Sequence, residues 1–325
     1  MLSIAVIGAG RIGHIHARNI AAHEGARLAG VADIDVAAAT RLAGACGARA
    51  LTLDEAFAAD AVLIGSPTPT HADYIERAAA AGRAIFCEKP IDLAVDRVRA
   101  CLAAVQRAGV VLMVGFNRRF DPHFRALKRR IDAGEIGAVE LLTIISRDPA
   151  PPPLDYVATS GGLFRDMMIH DLDMARFLLG EEPVELHAAA SCLVDPAIAA
   201  AGDVDTAVVT LLTASGRLCQ ISNSRRATYG YDQRIEVHGS KGLLRAGNLT
   251  PTTVELATGA GFVTDPVLPF FLERYAAAYR AELDAFIAAV GTGQVPKPDG
   301  EDGLKALLLA DAATRSAQTG QVVRL

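Results

Sequence analysis

The sequence predicts an α/β protein in two parts: an N-terminal doubly wound parallel sheet, then a C-terminal α+β domain with a large, mainly antiparallel open sheet. Three observations carry that expectation. Five short apolar runs alternate with helix-patterned segments over the first 120 residues. The first run stops at a glycine triplet spaced Gly8-x-Gly10-x-x-Gly13. Beyond residue 120 the strand-like runs alternate polar and apolar residues and are joined by short turns such as "ASG" and "GSKG".

Each element follows from its local pattern. "LSIAVI" is an apolar run ending at Gly8, and "RIGHIHARNIAAH" reads as a helix. "RLAGVAD" is a second strand before the helical "VAAATRLAGAC", and "DAVLIGS" a third before "THADYIERAAAAG". "AIFCEK" is a fourth before "DRVRACLAAVQRAG", and "VVLMVGF" a fifth. Unbroken apolar strands separated by helices are the mark of a parallel sheet covered on both faces. Right-handed crossovers then bring every strand's C-terminal end to one edge, where such sheets bind ligands.

The residues at that edge carry the chemistry. Gly8 permits a tight turn, Gly10 lets backbone approach a pyrophosphate, and Gly13 lets the helix lie close to the strand. Arg11 and Ile12 fill the two variable places of the same loop. A helix N-terminus offers free N–H groups and the positive end of its dipole to phosphate. An ordinary strand-to-helix turn is the alternative, but the strand before, the helix after and an acid about 20 residues on are the Rossmann context. That acid is Asp33, which would accept the ribose hydroxyls and repel a 2′-phosphate. Ile34 and Asp35 follow it, not arginine, so NAD is expected over NADP. Asp33 as a cap for the next helix is the plainer reading.

After strand three, "SPTPTH" leaves Ser66, Thr68 and Thr70 free to meet the cofactor or to cap the next helix, with His71 beside them at the cofactor edge; His71 reads as a helix-start residue rather than a catalyst. After strand four, "EKP" places Glu88 and Lys89 at the crevice. Lys89 would hydrogen-bond a substrate hydroxyl near the nicotinamide, or form an ion pair with Glu88. After strand five, "GFNRRFD" adds Asn117, Arg118 and Arg119, with one arginine expected in a structural ion pair.

The expected boundary separates 1–119, the cofactor domain, from 120–325, the substrate and oligomerisation domain. "DPHFRALKRRIDAGEIG" is a helix with a basic, solvated face, "AVELLTIISRD" a strand, and "PAPPP" a stiff loop or lid. "PVELHAAASCL", "DTAVVTLLTASGRLCQISNS" and "QRIEVHGSKGLLRAG" supply the antiparallel strands, and two helices follow near the C-terminus. A large sheet with a face to hide invites self-association.

Between strands lies "GGLFRDMMIHDLDMARFLLG". As a helix over 163–180 it would bury Met168, Leu172, Ala175 and Leu179 and gather Asp166, His170 and Asp173 on another face. Three accounts compete. Asp166 sits near the helix start for dipole reasons, Asp173 pairs with Arg176, and His170 is simply packed. Or the three hold a metal, although no second His/carboxylate cluster stands out in the chain. Or His170 is an acid/base oriented by an aspartate. A nicotinamide cofactor favours the last, because removing a hydride from an alcohol requires a group to take the hydroxyl proton.

Bulk properties narrow the classes. The formal charge of −5 gives no reason to expect nucleic acid or an anionic membrane. No apolar run approaches the roughly 20 residues that span a bilayer, and the N-terminus has no signal-peptide pattern. Five cysteines without a CxxC pair argue against a disulfide framework and point to the cytoplasm.

Together "AVIGAGRIGHIHARN", "SPTPTHADYI", "EKP" and "GGLFRDMMIHDLDMARFLLG" resemble the glucose–fructose oxidoreductase/inositol dehydrogenase/MocA family over nearly the whole chain. The resemblance implies an NAD-dependent polyol dehydrogenase without metal, oxidising myo-inositol to its 2-keto product. A related polyol or sugar dehydrogenase, or a non-catalytic NAD-binding sensor, is the alternative. It implies Lys89, Asp166 and His170 as the catalytic set, with His170 the base, and gives Asp173 a supporting role. It also implies substrate contacts from Arg118, Asp148 and Tyr229, and a homotetramer packed through open sheets. Relatives carry a His-Arg-Asn-Pro type segment where this chain has Ser146-Arg147-Asp148-Pro149.

Overall fold

The computed structural model describes residues 1–325. The chain divides into two compact units, Met1–Phe120 with Ala278–Leu307, and Asp121–Ala277 with Leu308–Leu325. The expected division into 1–119 and 120–325 made no provision for Ala278–Leu307 joining the first unit.

The first unit alternates as expected: β1 (Leu2–Ile7), α1 (Arg11–Ala21), β2 (Ala26–Ala32), α2 (Val36–Ala45), the one-turn α3 (Leu53–Ala56), β3 (Ala61–Ile64), α4 (His71–Ala80), β4 (Ala84–Glu88), α5 (Val95–Ala108) and β5 (Leu112–Gly115). All pairings are parallel, in the order β2-β1-β3-β4-β5. The strands are buried on both faces, which is why they read as unbroken apolar runs; Ile4, Val6, Val62, Ile64 and Phe86 are all inaccessible. The returning segment closes one side of this core, with Phe286 edge-on to Phe86 at 5.7 Å.

The second unit contains α6 (Pro122–Asp132), β6 (Val139–Arg147), α7 (Leu154–Ser160), a π-helical turn at Leu163–Met168, α8 (Ile169–Leu179), β7 (Pro183–Ser191), α9 (Pro196–Ala200), β8 (Thr206–Thr213), β9 (Leu218–Ser224), β10 (Asp232–Gly239), β11 (Gly242–Ala246), a small hairpin of β12 (Glu255–Thr258) and β13 (Gly261–Thr264), and the short α10 (Phe271–Arg274). Helices α11 (Ala276–Thr292) and α12 (Gly300–Thr319) and strand β14 (Val323–Arg324) complete the chain. Seven strands form one sheet, β11-β10-β6-β9-β8-β7-β14. Only β6 and β9 run parallel within it. Alternation decides its faces: Leu142, Ile144, Val209, Leu211 and Ile221 are buried, while Leu141, Val208 and Leu218 on the opposite face stand 41–45% exposed. No helix is long and apolar enough to cross a membrane.

Candidate functional site

In the first unit, the glycine loop is shaped by contacts that leave no room for side chains. Gly8 holds φ +110°, and a Cβ there would lie 2.6 Å from the Gly65 carbonyl group. A Cβ on Gly13 would lie 1.9 Å from Gly8 O. At Gly10, the N-cap of α1, a Cβ would meet no protein atom within 4 Å. The first turn of α1 also contains no acidic residue, so its positive dipole end is left for an external anion. Arg11 is exposed and Ile12 half-buried at this helix start.

Asp33 follows β2 directly. Its Oδ2 accepts from Ala9 N at 2.6 Å and its Oδ1 from Asp35 N at 2.8 Å. It therefore ties the glycine loop to the end of β2, while Asp35 takes the cap of α2 by accepting from Ala38 N. Asp33→Ala is expected to raise the KM for NAD and to raise NADP turnover relative to NAD. An unaltered cofactor ratio would contradict the assigned role.

Ser66 Oγ lies 2.6 Å from Thr70 Oγ1 in the turn that carries Thr68. His71 is buried, and its two ring nitrogens reach Pro90 O at 2.8 Å and Ser66 O at 2.7 Å. It joins the loops after β3 and β4, and burial lowers its pKa. Lys89 is half-buried at the end of β4. Its neighbour Glu88 turns inward instead of toward it, accepting from His16 Nε2 at 2.7 Å. The Glu88 carboxylate sits against Gly115, where a Cβ would come within 2.9 Å of Oε2.

Glu282, from α11, completes a buried cluster that the sequence did not reveal, because its members come from distant segments. One donor atom each from His16, Glu88 and Glu282 lies within 4.8 Å of the others. Neither Glu282 oxygen has a hydrogen-bond partner. Burial, then the Glu88 carboxylate, push the Glu282 carboxyl well above the usual range. A raised folded-state pKa gives stability that is complete below the unfolded value and lost as pH rises toward the folded one. Glu282→Gln is therefore expected to raise the thermal midpoint at pH 8 by about 2–4 °C or more, with the gap closing near pH 4. Identical melting curves at pH 8 would refute this.

Arg119 is the structural arginine, paired with buried Asp302 at 3.1 Å. Arg118 is 5% exposed on the same turn.

In the second unit, Gly161 and Gly162 hold φ +88° and +80°, and Asp203 Oδ1 accepts from Leu163 N at 3.0 Å to start the π turn. Asp166 lies in that turn and His170 in the first turn of α8, both half-exposed. Tyr156 of the unforeseen helix α7 donates its hydroxyl to Asp166 Oδ1 at 2.9 Å. Met168, Leu172, Ala175 and Leu179 are buried as expected. The three polar residues differ in exposure. Asp173 is 1% exposed and lies 3.6 Å from Arg176, which also clasps Glu182 with two bonds of 2.7 and 2.8 Å. Packing explains the difference: α8 is enclosed on nearly every side beyond its first turn, so Asp173 is buried while His170 stays half-exposed at the start.

Asp148 is half-buried just beyond β6. The Tyr229 ring is 47% exposed, and its hydroxyl donates to Asp232 at 2.6 Å and accepts from Arg147 at 3.1 Å.

The fold and the glycine cradle define a dinucleotide-dependent enzyme. The first unit fits NAD: open space over Gly10, an uncompensated helix N-terminus and an acid after β2. Known proteins agree. Residues 2–116 match the oxidoreductase family with NAD-binding Rossmann fold, and residues 124–245 the GFO/IDH/MocA C-terminal domain. An inositol 2-dehydrogenase of Rhizobium meliloti is 59% identical over 314 residues, covering 96% of this chain and 95% of its own. The crystal structure of a myo-inositol dehydrogenase from Corynebacterium glutamicum superimposes with a TM-score of 0.96 at 51% identity, covering 100% of this chain and 99% of its own. A scyllo-inositol dehydrogenase from Lactobacillus casei, solved with NAD(H) and scyllo-inositol, gives 0.92 at 30% identity, covering 100% and 99%. The chain belongs to the Gfo/Idh/MocA family of NAD-binding oxidoreductases.

Proposed function

We propose that this enzyme oxidises the C2 hydroxyl of myo-inositol to the ketone. NAD, when bound, supplies the acceptor for the hydride. The chain's residues handle the rest. His170 takes the hydroxyl proton, Asp166 orients the polyol and the imidazole, and Lys89 donates to the reacting oxygen. Tyr156 holds Asp166. Arg118, Asp148 and Tyr229 contact the remaining hydroxyls, and the loop from Gly8 to Gly13 with Asp33, Ser66, Thr68, His71 and Glu88 forms or braces the cofactor seat.

One observation supports this reading above the others: a carboxylate and an imidazole, both half-exposed, are four residues apart at the start of an otherwise enclosed helix. The names of the relatives favour an inositol as substrate. A panel of polyols, with NADH absorbance as the readout, tests it. Turnover is expected on myo-inositol, and fastest there. A faster scyllo-inositol rate would move the assignment to that isomer, and tight NAD binding with no turnover would leave only a sensor.

We further propose a homotetramer that covers the exposed sheet face bearing Leu141, Val208 and Leu218. A cytoplasmic location is supported by five free cysteines.

A further inference from the structure

Asp171, the residue after the proposed base, is completely buried, and the function proposed above gives it no task. Its Oδ1 accepts from Ser146 Oγ at 2.5 Å and its Oδ2 from Asn223 Nδ2 at 2.9 Å. Ser146 on β6 and Asn223 on β9 are paired residues of the parallel ladder. On its other side Ser146 is paired with Gln233 of β10, whose Oε1 lies 3.0 Å from the serine hydroxyl. That hydroxyl has one proton. Ser146 gives it to Asp171, so the contact with Gln233 is satisfied by exchanging the oxygen and nitrogen of the Gln233 amide, which turns its N–H group to the serine. Asn223, Ser146 and Gln233 are each 1% exposed. They form a buried polar row across three adjacent strands at one level of the sheet, converging on one carboxylate of α8.

Such a row restricts geometry. A buried carboxylate drawn off its donors loses charge-assisted bonds and strands polar groups in the core. The restriction falls where the backbone needs it. Helix α8 starts directly after a π turn, whose wider winding interrupts the regular helical phase. A slip of α8 by one residue would rotate it about 100° and remove Asp171 from both strands. We propose that the Asn223–Ser146–Gln233 row is a positioning device for His170. By holding Asp171 it fixes the rotation of α8 about its axis, and with it the direction of the preceding imidazole. The inference rests on His170 being the base.

The test uses the full-length enzyme with Ser146→Ala and, separately, Asn223→Ala, each in the wild-type and His170→Ala backgrounds. Each single change is expected to lower kcat by about 10- to 100-fold with the NAD dissociation constant unchanged. Once His170 is alanine the same change should have little further effect, since nothing remains to be aimed. Wild-type kcat in the single variants overturns the proposal, and so does an equal fractional loss in both backgrounds. If one variant fails to fold, the other decides. Failure of the base assignment is a separate result: His170→Ala alone would turn over at the wild-type rate.

Discussion

His170→Ala is expected to lower kcat by about 10²- to 10⁴-fold, the range for removing a positioned general base, while NAD binds as before. The split follows from where the residues lie. The cradle of Gly8, Gly10, Gly13 and Asp33 belongs to the first unit, whereas α8 belongs to the second. Loss of the imidazole removes the acceptor for the hydroxyl proton and leaves the cofactor seat intact. Lys89→Ala should give a loss of similar order, because its amine stabilises charge on the same oxygen. Asp166→Asn should fall between wild type and His170→Ala, since Tyr156 can still bond the amide oxygen. Steady-state kinetics with a separate NAD titration checks all three. Unchanged kcat in both His170→Ala and Lys89→Ala would remove the mechanism, whatever the enzyme oxidises.

The parts of this molecule that were legible beforehand are those governed by local rules. All five strands of the first sheet, the Gly8-x-Gly10-x-x-Gly13 loop and Asp33 depend on short-range periodicity and on glycines at fixed spacing. The "ASG" and "GSKG" turns between β8 and β9 and between β10 and β11 were legible for the same reason. What escaped depends on distant partners. The parallel pairing of β6 with β9 is a choice of topology that neither strand encodes alone. Glu282 lies far along the chain from Glu88 and His16, so no spacing could join them. Asp173 and Asp171 carry the same side chain, two residues apart in one helix, yet one pairs with Arg176 and the other is held by polar side chains from two strands. The π turn over Leu163–Met168 was not legible either, because its residues keep a helix-like pattern while the winding changes. Its start was marked by Gly161-Gly162, but only the contact with Asp203 shows why two left-handed residues are needed there.

The glycine loop permits a test in which stability and binding part company. Gly13→Ala should lower both. Its Cβ would stand 1.9 Å from Gly8 O, and the obstacle is backbone, which cannot swing aside. Helix α1 must then move off β1, an overpacking cost of about 1–3 kcal/mol or more, and the helix N-terminus leaves its place opposite the cofactor phosphates. A lower melting midpoint and an NAD dissociation constant raised at least about tenfold, equivalent to 1.4 kcal/mol, are expected. Gly10→Ala should behave differently. Its Cβ meets no protein atom within 4 Å, and its φ of −76° suits alanine. The fold should therefore melt at the wild-type temperature. The methyl group would instead occupy space that the dinucleotide needs, so NAD binding should weaken with stability unchanged. Isothermal titration beside calorimetric melting separates the two variants. Wild-type NAD affinity in Gly10→Ala would mean that the pyrophosphate does not approach the chain at this turn, and the cofactor seat would have to be drawn elsewhere along the sheet edge.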